Sequence, residues 1–211
     1  MHQTIKTGTT TIGIVCKEGI VLVADKRATA GNFIADKKAE KIHQIADYVA
    51  VTIAGLVSDA QLLTKLARAE LQLKKMRTGK ESSVREAANL AAGMCYSNIR
   101  KLSMIPGIVA FLVGGMDNEG FHLYNIGVDG SISEVNDFTS DGSGSVFALG
   151  VLETLYRKDM SMEEGIKLGV KALNAALQRD SASGSGLDIA TITKMGFKKI
   201  ITKELELKVE I

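Results

Sequence analysis

The 211-residue sequence is poor in the residue types on which several classes of protein depend. It has no tryptophan, one proline, two cysteines and three histidines, and aromatic residues make up 5% of it. Cys16 and Cys95 are far apart within apolar patterns, which predicts small core residues rather than a disulfide framework and a reducing, cytoplasmic setting. His2, His43 and His122 form no His-x-x-x-His motif and have no paired cysteines nearby. We therefore expect no metal centre and no cofactor.

Long apolar runs and blocks of like charge are also missing. The longest apolar stretch, 48–57, is much shorter than the ~20 residues that a membrane helix needs. A formal net charge of +2 gives no electrostatic reason to expect binding to nucleic acid or to an anionic membrane. Residues 1–8 are polar and lack an apolar segment, so they indicate a propeptide or a frayed terminus rather than a secretory signal. Neither a Gly-x-Ser-x-Gly elbow nor a Walker A loop is present.

What the sequence does contain is a pattern typical of one well-packed domain, with 45% hydrophobic and 24% charged residues. Because strands and helices come in blocks rather than in βαβ units, we expect largely antiparallel sheets with helices layered outside. The predicted strands cover 10–15, 20–25, 41–45, 48–54, 108–115, 121–126, 132–138, 187–193 and 197–201. The predicted helices cover 57–76, with Ser58 or Asp59 as its cap, and then 83–102, 146–156 and 161–178, the last opened by a Ser161–Glu164 capping box. The tail, 203–211, is typical of an edge strand or a subunit contact.

The junction between Gly8 and Thr9 carries the first chemical hypothesis. Three threonines in a row, Thr9 to Thr11, are ordinary openers of a strand. If the chain were cut before Thr9, however, that residue would carry a free α-amine beside its own hydroxyl. An α-amine with a pKa of about 7.7–8.0 can remove the hydroxyl proton near neutral pH. Thr9 is therefore a candidate N-terminal nucleophile.

A second candidate is the loop Gly142-Ser143-Gly144-Ser145, which precedes a predicted helix. It can be read as a simple helix entry or as a place where backbone N–H groups bind an anion. The residues alone leave both interpretations open.

Several short motifs occur in one order over nearly the whole chain. They are Gly8-Thr9-Thr10-Thr11, Asp25-Lys26-Arg27, Lys41, Thr52-Ile53-Ala54-Gly55, Gly142-Ser143-Gly144-Ser145 and Gln178-Arg179-Asp180-Ser181-Ala182-Ser183-Gly184. With these motifs the chain resembles an archaeal-type proteasome β subunit from its leader to about residue 193.

The resemblance implies an N-terminal-nucleophile (Ntn) hydrolase of the α+β class, a four-layer αββα sandwich of two largely antiparallel sheets. It implies that residues 1–8 are a propeptide removed autocatalytically and that 9–211 form one domain. The implied assembly has homo-heptameric β rings stacked on each other and on α-subunit rings, and a regulatory ATPase ring. It would act as a threonine endopeptidase on unfolded polypeptides in the cytoplasm.

The resemblance also assigns roles to single residues. Thr9 would be the nucleophile, and a buried Lys41 ammonium would lower the pKa of its hydroxyl and amine, with Asp25 compensating the lysine charge. Gly55 N–H would serve the oxyanion hole. Ser143, or Ser145 in the same loop, matches the serine that lies beside the threonine amine. Asp180 and Ser183 match the pair that positions this end of the active site.

Substrate contacts follow by the same resemblance. Arg27 and Thr29 match a strand segment that hydrogen-bonds an extended substrate. The first substrate pocket falls on Ala28, Ala39, His43, Ile53 and Val57. Small and aliphatic walls favour cleavage after apolar residues, although His43 stands where a hydrophobic residue is expected. Three alternatives stay open: a non-catalytic ring subunit, a two-ring bacterial-type threonine protease, and an Ntn amidase acting on small molecules.

Overall fold

The computed structural model describes residues 8–205, which form two packed sheets and the helices that cover them. The strands are β1 (Thr11–Cys16), β2 (Gly19–Asp25), β3 (Ala28–Ala30), β4 (Phe33–Asp36), β5 (Ile42–Ala46), β6 (Val49–Gly55), β7 (Val109–Asp117), β8 (Gly120–Ile126), β9 (Ile132–Val135), β10 (Phe138–Asp141), β11 (Gly186–Thr193) and β12 (Gly196–Glu204). The helices are α1 (Val57–Thr78), α2 (Val84–Ile99), α3 (Ser145–Leu155) and α4 (Met162–Arg179).

The strands form two five-stranded sheets and one separate hairpin. The first sheet has the order β10-β1-β2-β11-β12 and the second the order β5-β6-β7-β8-β9, while β3 and β4 pair only with each other. All strand pairs within residues 8–205 are antiparallel. The antiparallel arrangement predicted from the order of the elements is confirmed.

Three apolar clusters define four layers. One cluster lies between the second sheet and helices α1 and α2, and another lies between the first sheet and helices α3 and α4. The third joins the two sheets through side chains such as Ile20, Leu22, Leu123 and Ile192, each fully buried. The αββα sandwich expected from the resemblance is therefore the observed fold. Cys16 and Cys95 are buried free thiols in these cores, as predicted.

Helix starts agree with the sequence at α4 and differ at α1. Ser161 caps α4 in the predicted capping box with Glu164, and the pair Ser83 and Glu86 does the same for α2. At α1 the N-cap is Leu56, without a side-chain cap, so the prediction of Ser58 or Asp59 was wrong. The Leu56 N–H instead donates to Ile108 O, because the chain passes directly from β6 into the helix beside β7.

The predicted strand 132–138 was also wrong, since it is two strands in different sheets. β9 pairs with β8 at the edge of the second sheet, whereas β10 pairs with β1 at the edge of the first. Between them the Asp137 carbonyl accepts the N–H of Val15, which directs the chain across to the first sheet. The strands predicted from the sequence pattern did not include the hairpin β3-β4, which turns at Gly31-Asn32.

Two predicted segments, one at each chain end, extend beyond the described residues. β12 extends the predicted closing strand to Glu204, while residues 206–211 of the predicted tail lie outside the described residues. Residues 1–7 of the predicted propeptide lie outside them as well. None of the helices between residues 8 and 205 combines the length and the apolar character needed to cross a membrane.

Candidate active site

Thr9 lies where the chain enters β1, and both its hydroxyl and its backbone nitrogen have partners. The hydroxyl donates to the Gly8 carbonyl at 2.7 Å, and the N–H donates to Ser143 Oγ at 3.3 Å. This nitrogen belongs to a peptide bond here; it stands for the α-amine that a cut after Gly8 would create. Thr9 is 5% exposed, so its hydroxyl is shielded from bulk water.

A buried ion pair lies next to this residue. Lys41 Nζ lies 2.6 Å from Asp25 Oδ1, with the two side chains 5% and 0% exposed. The same carboxylate oxygen accepts the N–H of Thr10 at 2.9 Å, which ties the pair to the residue that follows Thr9. The predicted neighbours Asp25 and Lys41 thus meet one residue from the predicted nucleophile.

Backbone donors complete the environment of Asp25. Its Oδ2 accepts the N–H groups of Arg27 at 3.0 Å and Gly184 at 2.9 Å. A buried carboxylate that accepts several N–H groups keeps its charge at low cost. The position follows from the sequence, because Asp25 ends a fully buried strand and Lys41 immediately precedes β5, where its carbonyl is held by the N–H of Ile53.

Burial changes the proton affinity of Lys41. Desolvation lowers the pKa of its ammonium below the ordinary value, while the charge and hydrogen bond of Asp25 act in the opposite direction. The result is a cation that is held in place and yet gives up its proton more readily than a surface lysine does.

The second group of polar residues is centred on Asp180, the C-cap of α4. Asp180 Oδ2 accepts the hydroxyls of Ser143 and Ser183, each at 2.6 Å. Ser183 Oγ also lies 2.7 Å from Thr10 Oγ1. Because the single Ser183 proton is taken by the carboxylate, the Thr10 hydroxyl donates in that last bond. Three segments distant in sequence are thereby brought together around Thr9.

Ser143 and Ser145 differ in position, which separates the two serines that the sequence left open. Ser143 Oγ meets the Thr9 nitrogen, whereas Ser145 is the first residue of α3 and its N–H donates to Gly142 O. Gly142 has a φ of 94°, and a Cβ there would lie 2.1 Å from Thr9 O. The loop therefore needs glycine to approach Thr9 this closely.

A cavity of about 500 Å³ opens beside Thr9 and contains the predicted substrate pocket. Its lining includes the five residues predicted for that pocket, together with Gly55, Thr29 and Lys41. Those five are Ala28, Ala39, His43, Ile53 and Val57. A larger cavity of about 690 Å³ lies near the turn between α1 and α2 and is lined by none of these residues.

Gly55 lies at the edge of this cavity with a φ of 112°. A Cβ added there would be 2.1 Å from Ile108 O, so the backbone and the neighbouring strand both require glycine. Gly55 and Thr9 line the same cavity, and the oxyanion role of the Gly55 N–H stays a prediction.

Arg27 and Thr29, predicted to bind substrate, have different surroundings. The Arg27 guanidinium donates to Ser181 O at 2.8 Å and to Ser185 Oγ at 3.4 Å, so it fastens the loop that follows α4. Thr29 Oγ1 accepts the N–H of Gly8 at 3.1 Å, which holds the peptide unit before Thr9.

Sequence reasoning missed several residues near the site. Lys26 and Asp188 form a second buried pair at 3.3 Å, on the strand position next to Asp25. The sequence signal for this pair was Asp188, a charged residue within the otherwise apolar strand β11. Further lining residues of the cavity also went unnoticed, because they lie on the short hairpin strand, the following loop and α1: Ala35, Asp36, Lys38, Glu40 and Gln61. In the described part of the chain no three His, Cys, Asp or Glu side chains are grouped as a metal site would require.

Comparison with known proteins places this geometry in a family. The family model described as "Proteasome subunit" matches residues 5–192. The chain belongs to the proteasome subunit family. Within it, the chain is of the archaeal β type. It is 46% identical over 199 residues to "Proteasome subunit beta" of Methanocaldococcus vulcanius, which covers 94% of this chain and 87% of that protein. The protein of the same name from Ferroglobus placidus is 41% identical over 206 residues, covering 98% and 96%.

A third relative in the proteasome family matches a similar share of the chain. "Proteasome subunit beta" of Methanosarcina barkeri is 43% identical over 199 residues, which cover 94% of this chain and 92% of that protein. The family match over residues 5–192 includes every segment that contributes to the site.

Proposed function

We propose that this proteasome β subunit is the catalytic threonine endopeptidase of a core particle and uses Thr9 as its nucleophile. The observation that carries the proposal is the surroundings of Thr9. A threonine that follows glycine is enclosed by a buried lysine–aspartate pair on one side and by a serine–aspartate network on the other. A purely structural ring subunit has no need for a buried cation at this place.

The first step is self-cleavage, which makes residues 1–8 a propeptide and 9–211 the mature domain. The Thr9 hydroxyl attacks the Gly8 carbonyl carbon and the carbonyl oxygen takes up the negative charge. Collapse of this intermediate breaks the Gly8–Thr9 peptide bond and leaves Gly8 as an ester on Oγ1, while the nitrogen takes up the proton that the hydroxyl lost. Water then hydrolyses the ester and releases the leader. The contact of 2.7 Å between the hydroxyl and the Gly8 oxygen supports this, since the reacting groups are already adjacent.

Peptide hydrolysis uses the same atoms after the leader has gone. The new α-amine takes the proton of the Thr9 hydroxyl, and Oγ1 attacks the substrate carbonyl to give a tetrahedral oxyanion that faces the N–H of Gly55. The amine passes its proton to the leaving nitrogen, and water resolves the remaining ester. The Lys41 ammonium lowers the pKa of the hydroxyl, and Asp25 holds the ammonium in place.

The serine–aspartate network has a positioning role in this scheme. Ser143 orients the amine, while Asp180 fixes the Ser143 and Ser183 hydroxyls. Substrate extends along the segment of Arg27 and Thr29, with the side chain before the cut bond in the pocket of Ala28, Ala39, His43, Ile53 and Val57. Its mostly apolar walls favour cleavage after apolar residues.

The relatives are named proteasome subunit beta, and this supports an assembled form for this chain. We infer homo-heptameric β rings, stacked on each other and flanked by α-subunit rings, with a regulatory ATPase ring that delivers unfolded polypeptides in the cytoplasm. An enclosed chamber keeps an unselective protease away from folded proteins, and cleavage after assembly keeps single subunits inactive.

The test is the mass of the subunit in assembled particles made with the cognate α subunit. We expect wild-type β to lose residues 1–8 and to hydrolyse peptides. Thr9→Ala should assemble, keep the leader and be inactive, whereas the control Thr154→Ala, on the exposed face of α3, should behave as wild type. Active particles that retain the leader, or hydrolysis by Thr9→Ala, would contradict the proposal. Particles of β alone with two rings would favour the bacterial-type alternative.

A further inference from the structure

His43 introduces a titratable group into a pocket that is otherwise lined beside Thr9 by small and aliphatic side chains. It lies on β5, two residues after Lys41, and lines the same cavity as Thr9, Ala28 and Ile53. The imidazole is half-buried. A side chain bound in this pocket therefore shares a partly desolvated space with a ring that can change charge near physiological pH.

One hydrogen bond determines which ring nitrogen of His43 carries the hydrogen in the neutral imidazole. His43 Nε2 lies 3.1 Å from the carbonyl oxygen of Glu40. Because a carbonyl oxygen can only accept, Nε2 carries the hydrogen in the neutral ring. The lone pair is then on Nδ1, and that nitrogen takes up the proton when the ring becomes charged.

The charged groups around His43 come from each element packed against it. On its own side of the pocket, the Glu40 carboxylate lies 3.4 Å from Lys199 of β12. From α1, the Arg68 guanidinium donates to Gln44 O at 2.6 Å. The rim of the cavity carries Asp36 and Lys38. Burial lowers the pKa of His43; the Glu40 carbonyl and carboxylate oppose this, while the Arg68 and Lys199 cations act with burial.

Both lysines that line the cavity are already paired. On the rim, Lys38 lies 2.8 Å from the carboxylate of Glu204. Lys41 forms its ion pair with Asp25, and that pair is nearly completely buried. A carboxylate that entered the pocket at neutral pH would therefore face a neutral imidazole and apolar walls, and it would lose hydration without gaining a partner. When the ring is charged, the same carboxylate would gain an ion pair at Nδ1.

We propose that His43 sets the charge preference of the substrate pocket, which takes uncharged side chains at neutral pH and also takes a carboxylate once mild acid has charged the ring. This rests on the proposed function, because the pocket is defined by its position beside Thr9. It adds a substrate class, peptides cut after acidic residues, and gives the reason for a histidine among apolar wall residues.

The experiment compares peptides that differ only in glutamate or glutamine before the cut bond. Assembled wild-type particles are assayed for kcat/KM from about pH 7.5 down to about pH 5, because burial lowers the pKa of His43 below that of an ordinary imidazole. The lower limit stays above the pKa of about 4.3 of the peptide glutamate. We expect the glutamate to glutamine ratio to rise by about tenfold on acidification, the size of one charged hydrogen bond. The ratio cancels any pH effect on Thr9 itself. In His43→Gln the ratio should not change with pH, and in His122→Gln, a histidine of β8 outside the pocket, it should rise as in wild type.

Binding separates this proposal from the proposed function. The same two peptides, fluorescently labelled, are titrated into Thr9→Ala particles made without residues 1–8, because a retained leader would keep Gly8 in the cavity. Their Kd ratio is measured by anisotropy over the same pH range. A ratio that shifts in this particle, and not when His43→Gln is added, supports the inference whether or not hydrolysis occurs. A flat ratio in the Thr9→Ala particles, or an equal shift with His43→Gln added, overturns it.

Discussion

The methyl group of Ala182 occupies the space into which a side chain at Gly8 would project. A Cβ built on Gly8 would lie 1.8 Å from Ala182 Cβ, far inside van der Waals contact. On the other side, the Gly8 N–H is held by Thr29 Oγ1 at 3.1 Å and its carbonyl by the Thr9 hydroxyl at 2.7 Å. The peptide unit before Thr9 is thus confined from several directions, and only glycine fits there.

Replacing this glycine should therefore slow the removal of the leader. In Gly8→Ala the added methyl must displace the loop at Ala182 or rotate the Gly8 peptide away from the Thr9 hydroxyl. Overpacking of this kind costs ~1–3 kcal/mol, and we expect the rate of processing to fall by about tenfold or more. The measurement is the loss of precursor mass with time after α and β subunits are mixed.

A compensating change provides the control for Gly8→Ala. Ala182→Gly removes the methyl that the new side chain would strike, so the double variant Gly8→Ala/Ala182→Gly should process faster than Gly8→Ala alone. If both process equally slowly, the methyl of Ala182 is not the cause, and the clash is with the Ala182 backbone, whose Cα and O lie 2.8 and 2.9 Å from the same Cβ.

The Lys41–Asp25 pair predicts an unequal response to removal of either partner. Without Lys41, Asp25 still accepts N–H groups from Thr10, Arg27 and Gly184. Without Asp25, the buried Lys41 ammonium loses its ion-pair partner. An uncompensated buried charge costs ~3–5 kcal/mol. We expect Asp25→Ala to lower the free energy of unfolding clearly more than Lys41→Ala, although both should abolish peptide hydrolysis.

Chemical denaturation and peptide hydrolysis would be measured on the same two variants. The neighbouring buried pair gives a reference, because Lys26→Ala removes an equally buried lysine whose partner is Asp188. An equal loss of stability in Asp25→Ala and Lys41→Ala would mean that the backbone donors do not support the Asp25 charge. Retained hydrolysis in Lys41→Ala would remove the lysine from the mechanism.

The sequence was most informative where a short motif combines unusual residues at the end of an element. Asp25 at the end of an apolar strand and Asp180 after the last turn of α4 were both singled out. Their hydrogen-bond partners could not be read from the sequence, because Thr10, Ala182 and Gly184 are residue types common in any turn or strand. Which side of a sandwich they face depends on the pairing of distant strands.

Helix α1 gives a second example of what a single sequence cannot separate. In the predicted helix 57–76, apolar residues at helical spacing form one stripe, of which Leu63, Ala67 and Leu71 are buried. Leu62 and Leu66, included in the same stripe, are 52% and 44% exposed. Leucines that face a domain core and leucines on the outer surface have the same spacing, so periodicity predicts the helix but does not separate the two sets.

Both thiols should be unreactive until the chain unfolds. Burial raises the pKa of Cys16 to about 12, with Glu18 and Glu164 adding to the effect, and burial also raises the pKa of Cys95 to about 12. Since the thiolate is the reactive form, iodoacetamide should leave the native mass unchanged near neutral pH and add two labels in denaturant. Labelling of either cysteine without denaturant would show that its core opens locally.

The same shifts predict how stability changes in alkali. The ordinary thiol pKa is 9.0, so between that value and about 12 the folded state retains protons that the unfolded state has released. Stability should therefore fall as the pH rises above about 9. The double variant Cys16→Ser/Cys95→Ser, compared with wild type by denaturation at pH values on both sides of 9, should have a weaker dependence. An unchanged dependence would assign the effect to other groups.

Removing the charge of Asp180 should affect catalysis much more than stability. Its carboxylate accepts from Ser143 and Ser183 at 2.6 Å and from the N–H of Ala182 at 3.2 Å, and Ser143 in turn meets the Thr9 nitrogen. Both serines donate to Oδ2 and the Ala182 N–H donates to Oδ1, so the NH₂ group of Asp180→Asn must face one of these two sets of donors. The carboxylate charge is lost as well, so the serine hydroxyls are held less firmly and the Thr9 amine loses its orientation. A misplacement of this size costs about a hundredfold in kcat. Because the side chain is only partly buried, we expect a stability change of ~1 kcal/mol.

Asp129→Asn is the matched control, since this exposed aspartate also accepts a backbone N–H, from Ser131, far from the site. Measured together, kcat, leader removal and Tm should separate the two variants, and equal losses of Tm and rate in Asp180→Asn would reduce Asp180 to a structural cap of α4.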